Sequence, residues 1–564
     1  MHHHLFLLLV TACLARADNH GGVTWSPKAN EVIDLTHHLH PDTPVFPGSV
    51  GFNYTRIHRG PWEHGAGWLE DNDICGSDLM GTALLAPARW AQNRWYVNEI
   101  PPHRFFGPVV KVDVSMKVEN YSNYNLLVSD LKSWESQHGR IPDNAILLVQ
   151  TGWSKHYGNK TAYFGTDAAS FLINGEPTTN HPGISDEAAM WLAENTTVYG
   201  VGIDSPGIGP SSTYTAITSL HKRNIYTIVG AVNLHKVPAK GYSLAALPMN
   251  VENGTASLVR LLAFRTIKLS PKPEDTVDLT YALNNDTVMW IGRAPFQLFS
   301  VHKGPIIIGN NNLWIETNRF CGPEHMGTHL DAPTHFIKDS WRIHQIPPHG
   351  LIGPAVRIDI DQKAANDPDA VLTVEEIKAW ERENGRIPEN AIVFLYTGWG
   401  KYVNNFTAYL GTDNHENFID ENGVPRTHWP GFSAEAGEWL VSERQILGVG
   451  IDALSFDVGF TVLFKAHVSF LGARVLGLEN IANLDKLPKT GTTVFVFHMV
   501  YVDGSGAATR VVALKDGLQT PTTPAPPTSP PPTQCVTGSG WRVLASLRRT
   551  AVLAFVICFL AEIF

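Results

Sequence analysis

"HMGTHLDAPTHF", residues 325–336, sets three histidines and an aspartate within eleven positions. His325, His329 and Asp331 stand at i, i+4 and i+6. A helix puts the first two on one face but rotates the third away, whereas the even spacing of a strand keeps all three together. Gly327 and Thr328 suit an extended backbone, and Pro333 would end the ladder. The stretch therefore predicts a strand that presents two imidazoles and a carboxylate to one side, with His335 just past the proline. Neutral imidazole and carboxylate are ligands of zinc and manganese. Burying this many polar side chains without a partner would be costly, which argues against a plain core segment.

The same frame occurs once more, stripped of its ligands. "LMGTALLAPARW" (79–90) has Leu79, Ala83, Leu85 and Arg89 where the later segment has His325, His329, Asp331 and His335. The repeat extends well beyond this motif. "GRIPDNAILLVQTGWSKHYGNKTAYFGTD" (139–167) returns as "GRIPENAIVFLYTGWGKYVNNFTAYLGTD" (385–413), and "YGVGIDSP" (199–206) as "LGVGIDAL" (447–454). A spacing of 245–250 residues is a domain-scale duplication, not a solenoid of short repeats. The halves are placed at 29–267 and 274–516, joined by the linker "KLSPKPED" (268–275). Apolar runs such as "AILLVQTGW" read as buried strands, and "LTVEEIKAWERENG" (372–385) and "SAEAGEWLVSE" (433–443) have helical spacing. Each half is thus expected to be an α/β domain.

"HMGTHLDAPTHF" resembles the H-x-G-T/A-H-x-D-x-P-x-H signature of the putative cyclase family, which includes bacterial kynurenine formamidases and isatin hydrolases. The "DLT" opening, the "TGW" segment and the "GVGID" strand strengthen the resemblance, which covers each half nearly end to end. It implies two tandem swivelling β/β/α cyclase-like domains and metal-dependent hydrolysis of an amide. Carried over by position, His325, His329 and Asp331 resemble ligands of a first metal, with Asp331 able to bridge to a second. His467 and Glu479, in "KAHVSFLGARVLGLENIANL" (465–484), would complete the set, and His335 matches the proton-transferring histidine. Trp290 matches an aromatic that packs on substrate, although "WIG" here replaces the more usual "WPG". The cofactor implied is zinc or manganese, one or two ions in the second half. The first half has Ile217 and Val229 in the frame of His467 and Glu479, so its chemistry is expected to be lost and its fold kept. Dimers are common in the family, which implies either an internal pseudo-dimer of the two halves or a homodimer. His428 is expected at the surface or pocket edge, and Cys321, with its counterpart Cys75, in a structural role.

The whole chain bounds these readings. Its 564 residues exceed one ordinary core, and 43% hydrophobic with 17% charged residues describes a folded protein. A net charge of −10 without a basic stripe argues against nucleic acid as a partner. Residues 1–17 have the apolar run and "ARA" ending of a secretory signal. A Pro/Thr-rich stalk follows the second half (517–534), and residues 535–564 run from small residues through a polar spacer to an apolar tail. That order is expected of a GPI-anchor signal, with a short membrane helix as the rival. Seven N-x-S/T sequons, at Asn53, Asn120, Asn159, Asn195, Asn253, Asn285 and Asn405, agree with passage to the cell surface. With Cys13 and Cys558 in the end segments, Cys75, Cys321 and Cys535 are too few for a disulfide framework, so the cores are expected to supply stability.

The expectation is therefore a surface-tethered metallohydrolase of a small aromatic amide, aryl formamide or lactam, active only in its second half. The alternative is an inactive cell-surface binding protein that retains the fold. Structural zinc sites are usually closed by four ligands, so a spare His335 favours catalysis.

Overall fold

The apolar runs form strands as their composition demands. Ile146–Gln150 and its twin Ile392–Tyr396 are buried almost throughout, as parallel strands covered on both faces must be. Each pairs in parallel with its G-V-G-I segment, Gly200–Ile203 or Gly448–Ile451. The helical spacing at 372–385 gives a helix over Val374–Asn384, started by the Thr373 side chain and ended at Gly385 in the left-handed region (φ +88°). Ser433 likewise caps the helix Ala434–Glu443.

The structure, a computed structural model of the full chain, describes residues 24–62, 67–209, 214–265 and 267–519. The segments expected to be a signal (1–17) and an anchor signal (535–564), and most of the expected stalk, lie outside the described residues. Among those described, no helix is long and apolar enough to cross a membrane.

In the first half the strands run in the order Val32–Asp34, Ala256–Phe264, Ser243–Pro248, Phe106–Asp113, Ile146–Gln150, Gly200–Ile203, Tyr226–Val229, Ala83–Leu85. Ala83–Leu85 pairs back onto Ala256–Phe264, closing seven strands into a barrel-like sheet with Val32–Asp34 outside. The second half has the same ring, followed here in the opposite sense, from Thr276–Asp278 through Gly506–Leu514, His329–Asp331, Leu476–Glu479 and onward to Thr492–His498, which closes on Gly506–Leu514. Helices lie outside both sheets. These are the two tandem α/β domains of swivelling β/β/α type that the sequence implies.

The halves are joined through a second kind of sheet. Each contributes a long hairpin, Asn53–Pro61 with Trp68–Ser77 and Gln297–Ile308 with Asn311–Pro323. The inner strands pair antiparallel, Arg319 opposite Ser77, Cys321 opposite Cys75 and Pro323 opposite Asp73. Equivalent residues thus face each other across a local two-fold at the cysteines, as in an isologous dimer interface. Cys75 and Cys321 form a disulfide on that axis. This corrects the expectation that the cysteines leave stability to the cores, because two equivalent residues near a two-fold meet whatever their total number. The linker is also more ordered than its composition suggests. Lys268–Leu269 pairs with Leu518–Gln519, and Pro273–Asp275 forms a 3₁₀ turn. One apolar core then spans both halves, with Phe106 and Phe264 of the first packed on Phe495 of the second at ring distances of 5.1 and 6.1 Å.

Candidate metal centre

Strand register brings the first two ligand candidates together. His329 lies directly opposite Glu479 in an antiparallel pair, so both side chains leave the sheet on one face. Asp331, two residues on, follows on the same face. His325 does not belong to this strand, which covers only His329–Asp331. Gly327 takes φ +51°, and a Cβ there would meet Leu283 Cδ2 at 2.7 Å. The continuous strand expected from 325 to 331 is therefore replaced by a tight left-handed turn that only glycine suits. That turn swings His325 over Asp331, where Nδ1 lies 2.6 Å from Oδ1.

His467 arrives on the helix Lys465–Gly472. Asp457 accepts the amides of Ala466 and His467 at 2.9 Å each, and the His467 Nδ1–H at 2.6 Å. One carboxylate thus anchors the helix start and selects the imidazole tautomer. The carbonyl of Gly327 does the same for His329, accepting its Nδ1–H at 2.8 Å. Both rings then turn Nε2 inward. His329 Nε2 lies 3.4 Å from Asp331 Oδ1 and 3.3 Å from Glu479 Oε2. His467 Nε2 lies 3.3 Å from Asp331 Oδ2 and 3.2 Å from Glu479 Oε1. All four side chains are buried, and Asp331 Oδ2 has no hydrogen bond. Two imidazoles and two carboxylates, with the outer nitrogens already satisfied, fit a divalent ion of the zinc or manganese class. His325, Asp331 and His335 form a second group within reach of one ion and share Asp331 with the first.

Charge at the site has a clear direction. Burial disfavours a proton on His329, but hydrogen bonds to Asp331 and Glu479 outweigh it and raise the imidazole to about 9. Burial opposes the proton on His467 as well, yet Asp331 and Asp457 hold that group well above its ordinary value. Carboxylates that grip protons this firmly mark a point that attracts cations. His335 goes the other way. Burial, then the positive charge of His325, pushes it well below the usual histidine range. Its Nδ1–H is donated to the carbonyl of Glu70 at 2.6 Å, which leaves Nε2 as the basic nitrogen. The rings of His335 and His325 stack at 3.9 Å.

Over this cluster lies a cavity of about 250 Å³, the scale of a small ligand. Trp290, Phe336 and Phe464 line it from the second half, and Trp62, Leu69 and Asp71 from the first. Trp290 is therefore at the wall, 4.9 Å from the Phe418 ring. His428 lies at a partly buried edge, bonded to Asp369 at 2.9 Å and stacked on Phe460. The structure brings all seven site residues expected from sequence to one place. It adds Asp457, Glu70 and Asp71. Asp457 stands a loop away from the helix it caps, and the other two come from the opposite half, so no local spacing announces them.

The equivalent place in the first half is filled. Ala83, Leu85, Ile217 and Val229 are buried in one apolar cluster with Ile308 and Ile315 of the second half's hairpin. Arg89 is buried and ion-paired to Asp78 at 3.0 Å. Apolar side chains and an ion-paired arginine thus stand where the second half has its imidazoles and carboxylates.

The comparisons with known proteins agree with this architecture. The family model described as "Putative cyclase" matches the chain twice, over residues 33–210 and 277–458. The chain belongs to that family. Isatin hydrolase of Roseibium aggregatum is 35% identical over 199 residues, which cover 34% of this chain and 72% of that protein. Kynurenine formamidase of Bacillus mycoides is 24% identical over 245 residues, 43% of this chain and 98% of that one. Among solved structures, isatin hydrolase A from Ralstonia solanacearum has 31% identity over 42% of this chain and 91% of its own, with a TM-score of 0.37. The isatin hydrolase of Roseibium aggregatum and the kynurenine formamidase each correspond in extent to one half of this chain.

Proposed function

We propose that the chain is a metal-dependent hydrolase of a small aromatic amide, aryl formamide or lactam, with a single active site in the second half. The observation that carries this reading is the convergence of His329, His467, Asp331 and Glu479 beneath an aromatic cavity, with His335 beside them. The kinship to hydrolases of isatin and of a formamide supports the substrate class.

A zinc or manganese ion held by these side chains would supply Lewis acidity and an ionised water at neutral pH. The chain's own residues supply the rest. Trp290, Phe336 and Phe464 hold a flat ring against the buried cluster and exclude bulk water. Asp457 and Gly327 keep both imidazole donors aimed. His335 Nε2 accepts a proton from the attacking water and returns it to the leaving nitrogen.

The proposed route to the cell surface is supported by the exposure of all seven sequon asparagines. Release of the native protein from cells by a phosphatidylinositol-specific phospholipase would separate a GPI anchor from a membrane helix.

The test of the function is elemental analysis of the secreted chain with assays on aryl formamides and lactams. One or two zinc or manganese ions per chain, lost together with turnover in His329→Ala, is the expected result. A folded chain without metal or turnover would overturn the hydrolase reading in favour of a binding protein.

A further inference from the structure

The ligand-free half reaches into the site with more than apolar side chains. Asp71 lies on the first half's hairpin strand Trp68–Ser77 and lines the cavity. Its Oδ2 receives Arg293 Nη1 at 2.6 Å, and the same guanidinium bonds Asp73 at 2.6 Å. Its Oδ1 is buried with no hydrogen-bond partner. A carboxylate oxygen deprived of both water and protein donors is expensive to maintain, so this one is built to receive a donor from something else. His58, directly across the strand pair from Asp71, lines the same cavity, and its Nε2 is likewise buried and unpartnered. Beside the imidazoles and carboxylates of the second half, the first half therefore adds two unpartnered polar atoms to the cavity lining.

Its position relates it to the chemistry. An oxygen of Asp71, one of Glu324 and a nitrogen of His325 lie within 4.8 Å of one another. Glu324 is already occupied by the Asn72 amide, the Tyr501 hydroxyl and the backbone N–H of Ser505. Of these two carboxylates, Asp71 is thus the one with spare capacity beside His325, on whose ring His335 stacks.

We propose that Asp71 accepts the N–H of the scissile amide, so that the cavity selects secondary amides and lactams over N-substituted ones. The proposal rests on the hydrolase reading above. In the reaction, the water oxygen bonds to the carbonyl carbon, the C–N bond breaks, and its electron pair stays on nitrogen. That nitrogen takes up the proton His335 gained from the water, giving an acid and an amine. A carboxylate on the N–H fixes the nitrogen during this transfer and rejects an N-methyl group, which offers no donor and adds bulk. A site built around such a bond discriminates far more strongly than an apolar pocket does.

The test compares kcat/KM for isatin and N-methylisatin in the metal-loaded full chain, in wild type, Asp71→Ala and Asp71→Asn. Wild type is expected to favour isatin. In Asp71→Ala the loss should fall on isatin about 10- to 100-fold more heavily than on N-methylisatin, the range for a hydrogen bond to a charged group. Asp71→Asn keeps the side chain's shape and an acceptor oxygen, so its ratio should lie between the two. It also serves as the test where the alanine variant does not fold. An unchanged ratio, or an equal loss on both substrates, would overturn the role of Asp71 while leaving the hydrolase reading intact. Where wild type turns over neither, formanilide and N-methylformanilide give the same ratio, and absence of turnover of all four by wild type would overturn that reading, and this proposal with it.

Discussion

The backbone carbonyl of Glu70 accepts the Nδ1–H of His335 at 2.6 Å, so the half without metal ligands sets the tautomer of the proposed proton carrier in the other. The Glu70 side chain is tied down on the same side, to Arg342 Nη1 at 2.8 Å. Ser505 Oγ donates to that carbonyl as well, at 2.8 Å.

The first prediction follows from this contact. Residues 274–519 expressed alone should be aggregated or at least about 100-fold less active, since removing an orienting partner and the cavity wall compounds two losses. Co-expressing residues 24–267 as a separate chain should recover soluble, active protein. Full activity in the isolated second half would show that the first half is dispensable.

Asp457→Asn should leave the fold in place and weaken metal binding about 10- to 100-fold, the usual effect of removing a partner that orients a ligating histidine. Competition with a chelator of known affinity measures this. The amide can still cap the helix through its oxygen, but it holds the His467 tautomer less firmly.

His335→Gln should retain metal and lose about 10²- to 10⁴-fold in kcat, as removal of a general acid–base does. Its imidazole is not one of the four converging donors. Loss of metal as well would instead assign His335 to a second ion.

Replacing Cys75 and Cys321 together by alanine should lower stability by about 2–4 kcal/mol, because the bond constrains two strands 246 residues apart. Urea unfolding of the double variant against wild type reads this out. Hydrogen bonds between the same strands should keep the native state assembled.

The first half should be acid-sensitive. Burial is the main cause that lowers His37 and His221 to about 3 and His181 to about 4, well below the ordinary histidine range. The unfolded chain therefore binds protons that the folded chain refuses, so stability is complete above about pH 6.5 and falls as pH drops toward 4. Each histidine contributes a slope of up to about 1.4 kcal/mol per pH unit. His221→Gln should flatten the dependence measured by urea unfolding between pH 7 and 4.5.

Much of this was legible in the sequence because the duplication offered its own control. Leu79, Ala83 and Leu85 against His325, His329 and Asp331 separate chemistry from scaffold, and the apolar runs and the helical spacing at 372–385 and 433–443 mark strands and helices locally. What escaped depends on pairing at long range. The left-handed turn at Gly327 hides behind an even spacing that a strand would also give. Asp457 reaches its helix across a loop. Glu70, Asp71 and His58 matter only because two hairpins pair across the halves, and the matched positions of Cys75 and Cys321 were the one sequence signal of that axis.

The shared hairpin sheet also decides how the site responds to dilution. In a pair of separate chains, a cavity with one wall on each partner comes apart when the concentration falls below the dissociation constant. Here both walls are on one polypeptide, and their encounter is set by an effective concentration that dilution cannot lower. The disulfide makes that encounter permanent in an oxidising medium. The site should therefore keep its full specific activity at picomolar protein, where a dimeric relative of the same architecture would have fallen silent.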